Sequence, residues 1–245
     1  MRGFEFAFAL ALSAAAAGCA TGARGPRPPP KVDHLGSMQE MFERKSAAGR
    51  VALEPLLGLK HLYALGPLEG LRGELLIWDC TPFTSRMVDG VARVVVERDL
   101  RAPFLVWSSV KAWRDVDVPD DARTLAQFEK WLPGAARKAG LDSSKPFAFQ
   151  VLGAVEHAAI HVVDLSPDEV LTREAHAAAK RVVTLDAVPA QMLGFYAPDD
   201  AGAKGVWLHH SANVHLHLRN QLGTVMGHVD DFTLAEGATV KIAWE

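Results

Sequence analysis

The sequence predicts a mixed α/β domain of the α+β kind, richer in strand than in helix, with a candidate metal site on a β-hairpin near the C-terminus. Three observations carry this. Short β-prone runs at 75–78, 91–96 and 104–106 are separated by turn residues such as Asp89-Gly90. Helical periodicity is confined to a few stretches that open on capping residues. Five of the ten histidines lie between position 209 and the C-terminus, two of them alternating with apolar residues at period two.

The chain has 245 residues, 49% of them apolar, enough to bury a core. Its formal net charge is -3, and no Lys/Arg run or basic stripe with interleaved aromatics points to nucleic acid. Arg2 precedes an apolar stretch, 6–17, too short for an ordinary transmembrane helix and shaped like an export signal covering 1–18. Ala-Ala-Gly-Cys19 at its end has the form of a bacterial lipobox, so Cys19 is the expected lipidation site. The mature chain is then an exported, membrane-anchored lipoprotein of the cell envelope, touching the membrane only through its lipid. The Gly/Arg/Pro-rich segment that follows gives an expected tether over 19–33 and a folded domain over 34–245. With Cys19 lipidated, Cys80 is the one remaining thiol, no internal disulfide can form, and Cys80 reads as a small buried hydrophobe.

Within the domain, Ser37-Met38-Gln39-Glu40 has the form of a capping box opening a short helix. The strand candidates named above come next. Positions 124–132 read as an amphipathic helix with Leu125, Phe128, Trp131 and Leu132 on one face; Pro133-Gly134 should interrupt it before a second short helix ending near Gly140. Two strands are expected at 147–153 and 159–163. Ser166-Pro167-Asp168-Glu169 combines an N-cap, a first-turn proline and a capping-box glutamate, so another helix should follow. Beyond Ala187 the chain returns to strand.

Val214-His215-Leu216-His217-Leu218 puts both histidines on one strand face, roughly 6.6–7 Å apart, with the apolar residues turned into a core. A polar turn, 219–223, leads to a second strand from about Val225. Positions 217 and 228 are symmetric about the midpoint of Leu222 and Gly223, so in a symmetric hairpin His228 sits opposite His217, with Cβ atoms about 4.5–5.5 Å apart. Three imidazoles then converge on one tetrahedral ion, zinc or a similar divalent transition metal, with a fourth position left for water or substrate. His209 and His210 read as loop residues, at most one of them near the site. His34, His61, His157, His161 and His176 read as structural or surface residues.

The same residues resemble a known family. His215-Leu-His217 followed by Gly227-His228-Val229-Asp230 is similar to the metal motif of α-acetolactate decarboxylase. Gly73-Glu74-Leu75, within the segment from Leu65 to Asp79, resembles that family's Gly-Glu-Leu segment. Ala102-Pro103-Phe104, Pro146-Phe147-Ala148-Phe149 and Leu193-Gly194-Phe195-Tyr196-Ala197-Pro198 match further blocks in order. The resemblance covers most of residues 55–235. It implies mixed sheets in two closely packed halves, zinc held by three histidines, and decarboxylation of 2-acetolactate, a small 2-hydroxy-3-keto acid, to acetoin and carbon dioxide. Glu74 matches the family's glutamate and is the candidate proton donor. The family's arginine for the substrate carboxylate falls at Gln150, which can donate a hydrogen bond but lacks the charged fork. A second family glutamate, on a C-terminal extension, has no counterpart here.

Three readings follow. One is a zinc-dependent carboxy-lyase for acetolactate or a related acid. Another is a zinc enzyme of the same fold with a substrate that needs no arginine clamp, and the last a non-enzymatic metal- or ligand-binding lipoprotein. Another cation, such as Arg93, Arg98 or Lys111, could replace the missing arginine. A second copy of the chain, forming a homodimer, is one expected partner.

Overall fold

The protein is described here by a computed structural model covering residues 25–245. The expected signal segment and Cys19 lie outside the described residues. In chain order the elements are β1 (Asp33–Leu35), α1 (Met38–Glu43), β2 (Val51–Ala52), β3 (Leu62–Pro67), β4 (Glu74–Trp78), β5 (Thr81–Val88), β6 (Val91–Val96), β7 (Arg101–Ala102), β8 (Leu105–Ser109) and β9 (Trp113–Asp117). Then come α2 (Leu125–Lys138), β10 (Phe147–Val163), α3 (Arg173–Ala178), β11 (Lys180–Tyr196), β12 (Val214–Asn220), β13 (Met226–Leu234) and β14 (Thr239–Ala243).

Two six-stranded sheets result, ordered β1-β8-β3-β4-β5-β6 and β11-β12-β13-β10-β14-β9, and β2 pairs with β7. The named strands pair antiparallel throughout. Strands β10 and β11 also pair with each other along their 17-residue lengths, so the second sheet curls until β10, β11, β12 and β13 form a closed ring of neighbours.

Period-two alternation sorts the side chains into three layers. Leu62, Ala64, Leu75 and Ile77 face an outer core with Val51, Leu53 and Leu100. Tyr63, Leu65 and Leu76, on the opposite face, pack against Ala148, Leu193 and Phe195 of the second sheet. Phe149, Val151, Leu216, Leu218 and Phe232 turn away from that interface and cover Phe128 and Leu132 of α2. Glu74 is two residues before Leu76, and His215 and His217 alternate with Leu216 and Leu218. All three therefore belong to the layer between the sheets.

Several local expectations need correction. Helix α2 is continuous through Pro133. Phe128, Leu132, Ala135 and Ala136 form one buried stripe across the proline, and that packing outweighs the hydrogen bond Pro133 cannot donate. Thr124 and Gln127 cap the helix with a reciprocal box. At α1 only half of the expected box forms: Ser37 Oγ accepts from the Glu40 amide at 3.0 Å, while the Glu40 carboxylate turns to Arg44 and Arg50. The strands expected at 147–153 and 159–163 are one, β10, which bends at Gly153 (φ 147°) and absorbs two register shifts against β13. Residues 166–169 form a single turn, closed by the Glu169 amide on the Ser166 carbonyl (3.1 Å), and Thr172 caps α3 instead. Cys80 is half-buried in the β4–β5 turn, its φ of 66° following 43° at Asp79. The described part of the expected tether runs against the domain, with Arg27 bonded through its backbone to Gly140 and Asp142.

Candidate metal centre

Strand β12 is fixed at its start by α2. Glu129 accepts from the Asn213 and Val214 amides at 2.5 and 3.1 Å, just before His215. At its other end Asn220 Oδ1 accepts from the amides of Thr224 and Val225 and closes the hairpin loop. His217 and His228 are directly opposed in register, as the symmetry of the turn predicts. Gly227 lets β13 lie close to β10, because an added Cβ would fall 2.6 Å from the His161 carbonyl oxygen.

One ring nitrogen from each of His215, His217 and His228 lies within 4.8 Å of the other two, a group that could hold a metal ion. His217 is fully buried and His215 nearly so. Burial, and after it the nearness of other imidazoles, pushes His217 down to about 3 and holds His215 and His228 well below the ordinary histidine range. All three are therefore neutral at pH 7, the form that ligates a metal. His215 Nδ1 and both nitrogens of His217 are buried without a protein hydrogen bond. Such orphaned atoms cost about 1–3 kcal/mol each unless something meets them. Three neutral imidazoles converging in this way, two of them with unpartnered buried nitrogens, fit a divalent transition metal.

Glu74 faces this cluster from the first sheet. Its carboxyl is 3% exposed, its Oε1 accepts from the Val163 amide at 3.3 Å, and its Oε2 is 3.6 Å from His217 Nε2. Burial pushes it up to about 8, against the opposing pull of the Val163 amide and the Lys180 charge. It thus holds a proton at neutral pH.

The cleft above is walled by Met38 and Met41 of α1, by Phe104 and by Trp207, and polar groups of Glu74, His161, His176, His209, His215 and His228 open into it. Backbone bonds from Met38 and Gln39 to Val206 and Gly205 tie α1 to the Trp207 loop. His209 joins the cleft, its ring centroid 5.9 Å from that of His228, whereas His210 does not line it. His161 and His176, read from sequence as structural or surface residues, both line it. His161 is paired in register with His228, with ring centroids 4.8 Å apart. That pairing joins segments 67 positions apart, so no local pattern announces it; the one available signal was a single histidine inside the apolar run 158–163.

Gln150 is buried but does not line the cleft. It shares a cross-strand row with Leu193 and His217, two strands from the latter, and neighbours the Tyr63 phenol. Arg93, Arg98 and Lys111 are exposed and none lines the cleft. Among the described residues its lining holds no lysine or arginine.

The structure is a two-sheet α+β domain whose His215, His217 and His228 could hold a metal ion, with Glu74 facing them. The particular family follows from the sequence: residues 62–244 match the model of the alpha-acetolactate decarboxylase family, and the chain belongs to that family. No curated protein sequence matches it significantly. Its fold is similar to alpha-acetolactate decarboxylase from Bacillus subtilis, with a TM-score of 0.70, 21% identity, and 87% of this chain and 85% of that one covered. The enzyme from Bacillus subtilis subspecies spizizenii gives a TM-score of 0.69 at 22% identity, covering 87% and 86%. A Staphylococcus aureus protein of unknown function, described as similar to alpha-acetolactate decarboxylase, gives 0.70 at 16% identity, covering 86% and 84%.

Proposed function

We propose that this chain is a metal-dependent carboxy-lyase, with zinc held by His215, His217 and His228, acting on 2-acetolactate or a closely related 2-hydroxy-3-keto acid. The observation that carries this is the buried, protonated Glu74 facing three neutral imidazoles across the sheet interface, in a chain of this family. When bound, the metal polarises the adjacent hydroxyl and carbonyl oxygens of the substrate as a Lewis acid. The protein supplies the rest. Met38, Met41, Phe104 and Trp207 restrict water around the reacting carbon. The Val163 amide fixes one oxygen of Glu74, and the other stays beside His217. As the bond to the carboxylate breaks and carbon dioxide departs, Glu74 delivers its proton to the carbon left behind.

A second reading, another substrate for the same centre, is favoured by one observation. Among the described residues no lysine or arginine lines the cleft, and Gln150 lies outside it. The test is turnover of racemic acetolactate by zinc-loaded protein, followed as carbon dioxide and acetoin, with chelator-treated protein and a Glu74→Gln variant alongside. Turnover that needs metal and falls about 10²–10⁴-fold in Glu74→Gln, with zinc still bound one per chain, is the expected result. No turnover from folded protein holding its zinc would reject acetolactate and leave the second reading.

A further inference from the structure

The N-terminal segment is fastened at one end of the domain. The Arg27 amide donates to the Gly140 carbonyl (2.8 Å) and the Arg27 carbonyl accepts from the Asp142 amide (2.7 Å), both in the turn that follows α2. Its side chain pairs with Glu245 at 2.9 Å. From Cys19 to Arg27 the backbone reaches at most about 29 Å even when fully extended. A domain of this size is roughly 45 Å across. A lipid on Cys19 would therefore keep the end that carries Arg27 nearest the bilayer.

Cations gather at that end from separate segments. Arg114 Nη1 donates to the Ala139 carbonyl at 2.6 Å, and Arg137 Nη1 donates to Ser143 Oγ at 2.9 Å. Lys138 and Lys145 are exposed beside the same turn. Among the described residues, none of these four makes an ion pair. Most carboxylates nearby are engaged: Glu245 by Arg27, Asp115 by Lys241, and Asp142 by the Ser144 amide and hydroxyl. Asp117, at the end of β9, makes no ion pair among the described residues. Arg137 and Lys138 also complement the α2 dipole. Arg114 and Lys145 lie outside the helix, however, and the chain as a whole carries -3, so the excess is local. Trp244 is half-buried there, with the Arg27 and Arg114 guanidinium carbons 5.3 and 3.3 Å from its ring centroid. Trp131 lines the groove beside Arg114 and Lys138.

We propose that this end of the domain docks on an anionic bilayer: Arg27, Arg114, Arg137, Lys138 and Lys145 meet lipid phosphates, Trp244 sits at headgroup level, and a lipid on Cys19 holds the contact in place. Headgroup charge acts on cations within about a Debye length, roughly 8 Å at physiological salt, so the patch must lie against the membrane to feel it. The short span from Cys19 puts it there. A half-buried indole suits the same depth. None of these residues lines the metal-site cleft, so docking and substrate binding use different surfaces. The inference is independent of the reaction proposed above.

For the test, the whole chain is produced in a bacterial host that processes lipoproteins and purified in detergent. It is reconstituted into vesicles of phosphatidylglycerol with phosphatidylcholine, or of phosphatidylcholine alone. Acylation of each lysine by a water-soluble ester is followed by mass spectrometry. Lys138 and Lys145 should react at least about fivefold more slowly on the anionic vesicles, and high salt should remove the difference. Lys45, exposed beside α1, should react equally on both. In the double variant Arg137→Glu, Lys138→Glu the protection of Lys145 should be lost. If that variant does not fold, Lys138→Gln takes its place and should weaken the protection. Equal rates for Lys138 and Lys145 on the two vesicles overturn the inference, as does protection of Lys145 undiminished in the variant. Protection that is the same on phosphatidylcholine and grows with the protein-to-lipid ratio would assign the patch to a contact between copies instead. A chain whose mass shows no lipid on Cys19 also rejects the proposal, because nothing then holds this end to the bilayer.

Discussion

Hairpins β5–β6 and β12–β13 are built alike and used differently. Both are antiparallel pairs joined by short polar turns. In the first, Asp89 and Gly90 both have positive φ, matching the twist of the strands. But β6 is an edge strand, and Val91, Val95 and Val96 on it remain 53%, 48% and 55% exposed. Hairpin β12–β13 lies in mid-sheet, covered by α2 on one face and by the first sheet on the other. Alternation fixes which residues share a face; what covers that face decides their chemistry. The same imidazoles on β6 would be hydrated and titrate normally, whereas on β12 they are neutral and short of partners.

The largest expected effect breaks the second hairpin's chemistry without touching the first. At zinc about 100 times its dissociation constant, a site of this kind stabilises wild type by roughly 2.7 kcal/mol. For a domain of this size that is a rise in Tm of roughly 5–10 °C. His217→Ala should bind no stoichiometric zinc and lose that rise. Val95→Thr on β6 should keep it. A full zinc-induced shift in His217→Ala, measured by scanning calorimetry, would remove His217 from the centre.

Acidity sharpens the same contrast. Burial and neighbouring imidazoles hold His217 near 3 and His215 and His228 well below 6.5, so below pH 6.5 the unfolded chain takes up protons that the folded chain refuses. Their stabilisation is complete above pH 6.5 and is lost as pH falls towards the folded values. Glu74, raised to about 8 by burial, acts oppositely: the folded chain keeps a proton that the unfolded chain releases above 4.5, so its contribution declines from pH 4.5 to 8. Burial also lowers His176 and His209, so five imidazoles against one carboxyl leave a net loss of stability on acidification below about 6. Urea unfolding of chelator-treated protein between pH 5 and 7 measures it. A flat profile there would mean the imidazoles are solvated, as they would be on β6.

How much of this was legible depends on chain distance. His217 opposite His228 could be read because turn and strands lie within 15 residues and the alternation is unbroken. Glu74 came from a motif, and its facing the histidines needed the packing of two sheets. His161 could not be found, since β10 and β13 are brought together by the curl of the second sheet. The errors at Pro133 and at 166–169 share a cause: local breaking and capping signals were read without the packing that overrode them, the buried α2 stripe in one case and the Thr172 cap in the other.

The smallest predicted effect separates the hairpins by their glycines. Gly90 needs its positive φ of 77°, but no atom lies within 4 Å of an added Cβ. Gly227 has ordinary backbone, yet its added Cβ meets the His161 carbonyl of the neighbouring strand. Gly90→Ala should cost about 1 kcal/mol through strain at the turn and leave zinc affinity unchanged. Gly227→Ala should cost about 1–3 kcal/mol through crowding. It should also weaken zinc, because the strand that must shift carries His228 at the next position. Equal zinc affinity in both variants, by competition with a chelating dye, would mean that the β10–β13 contact does not hold His228 in place.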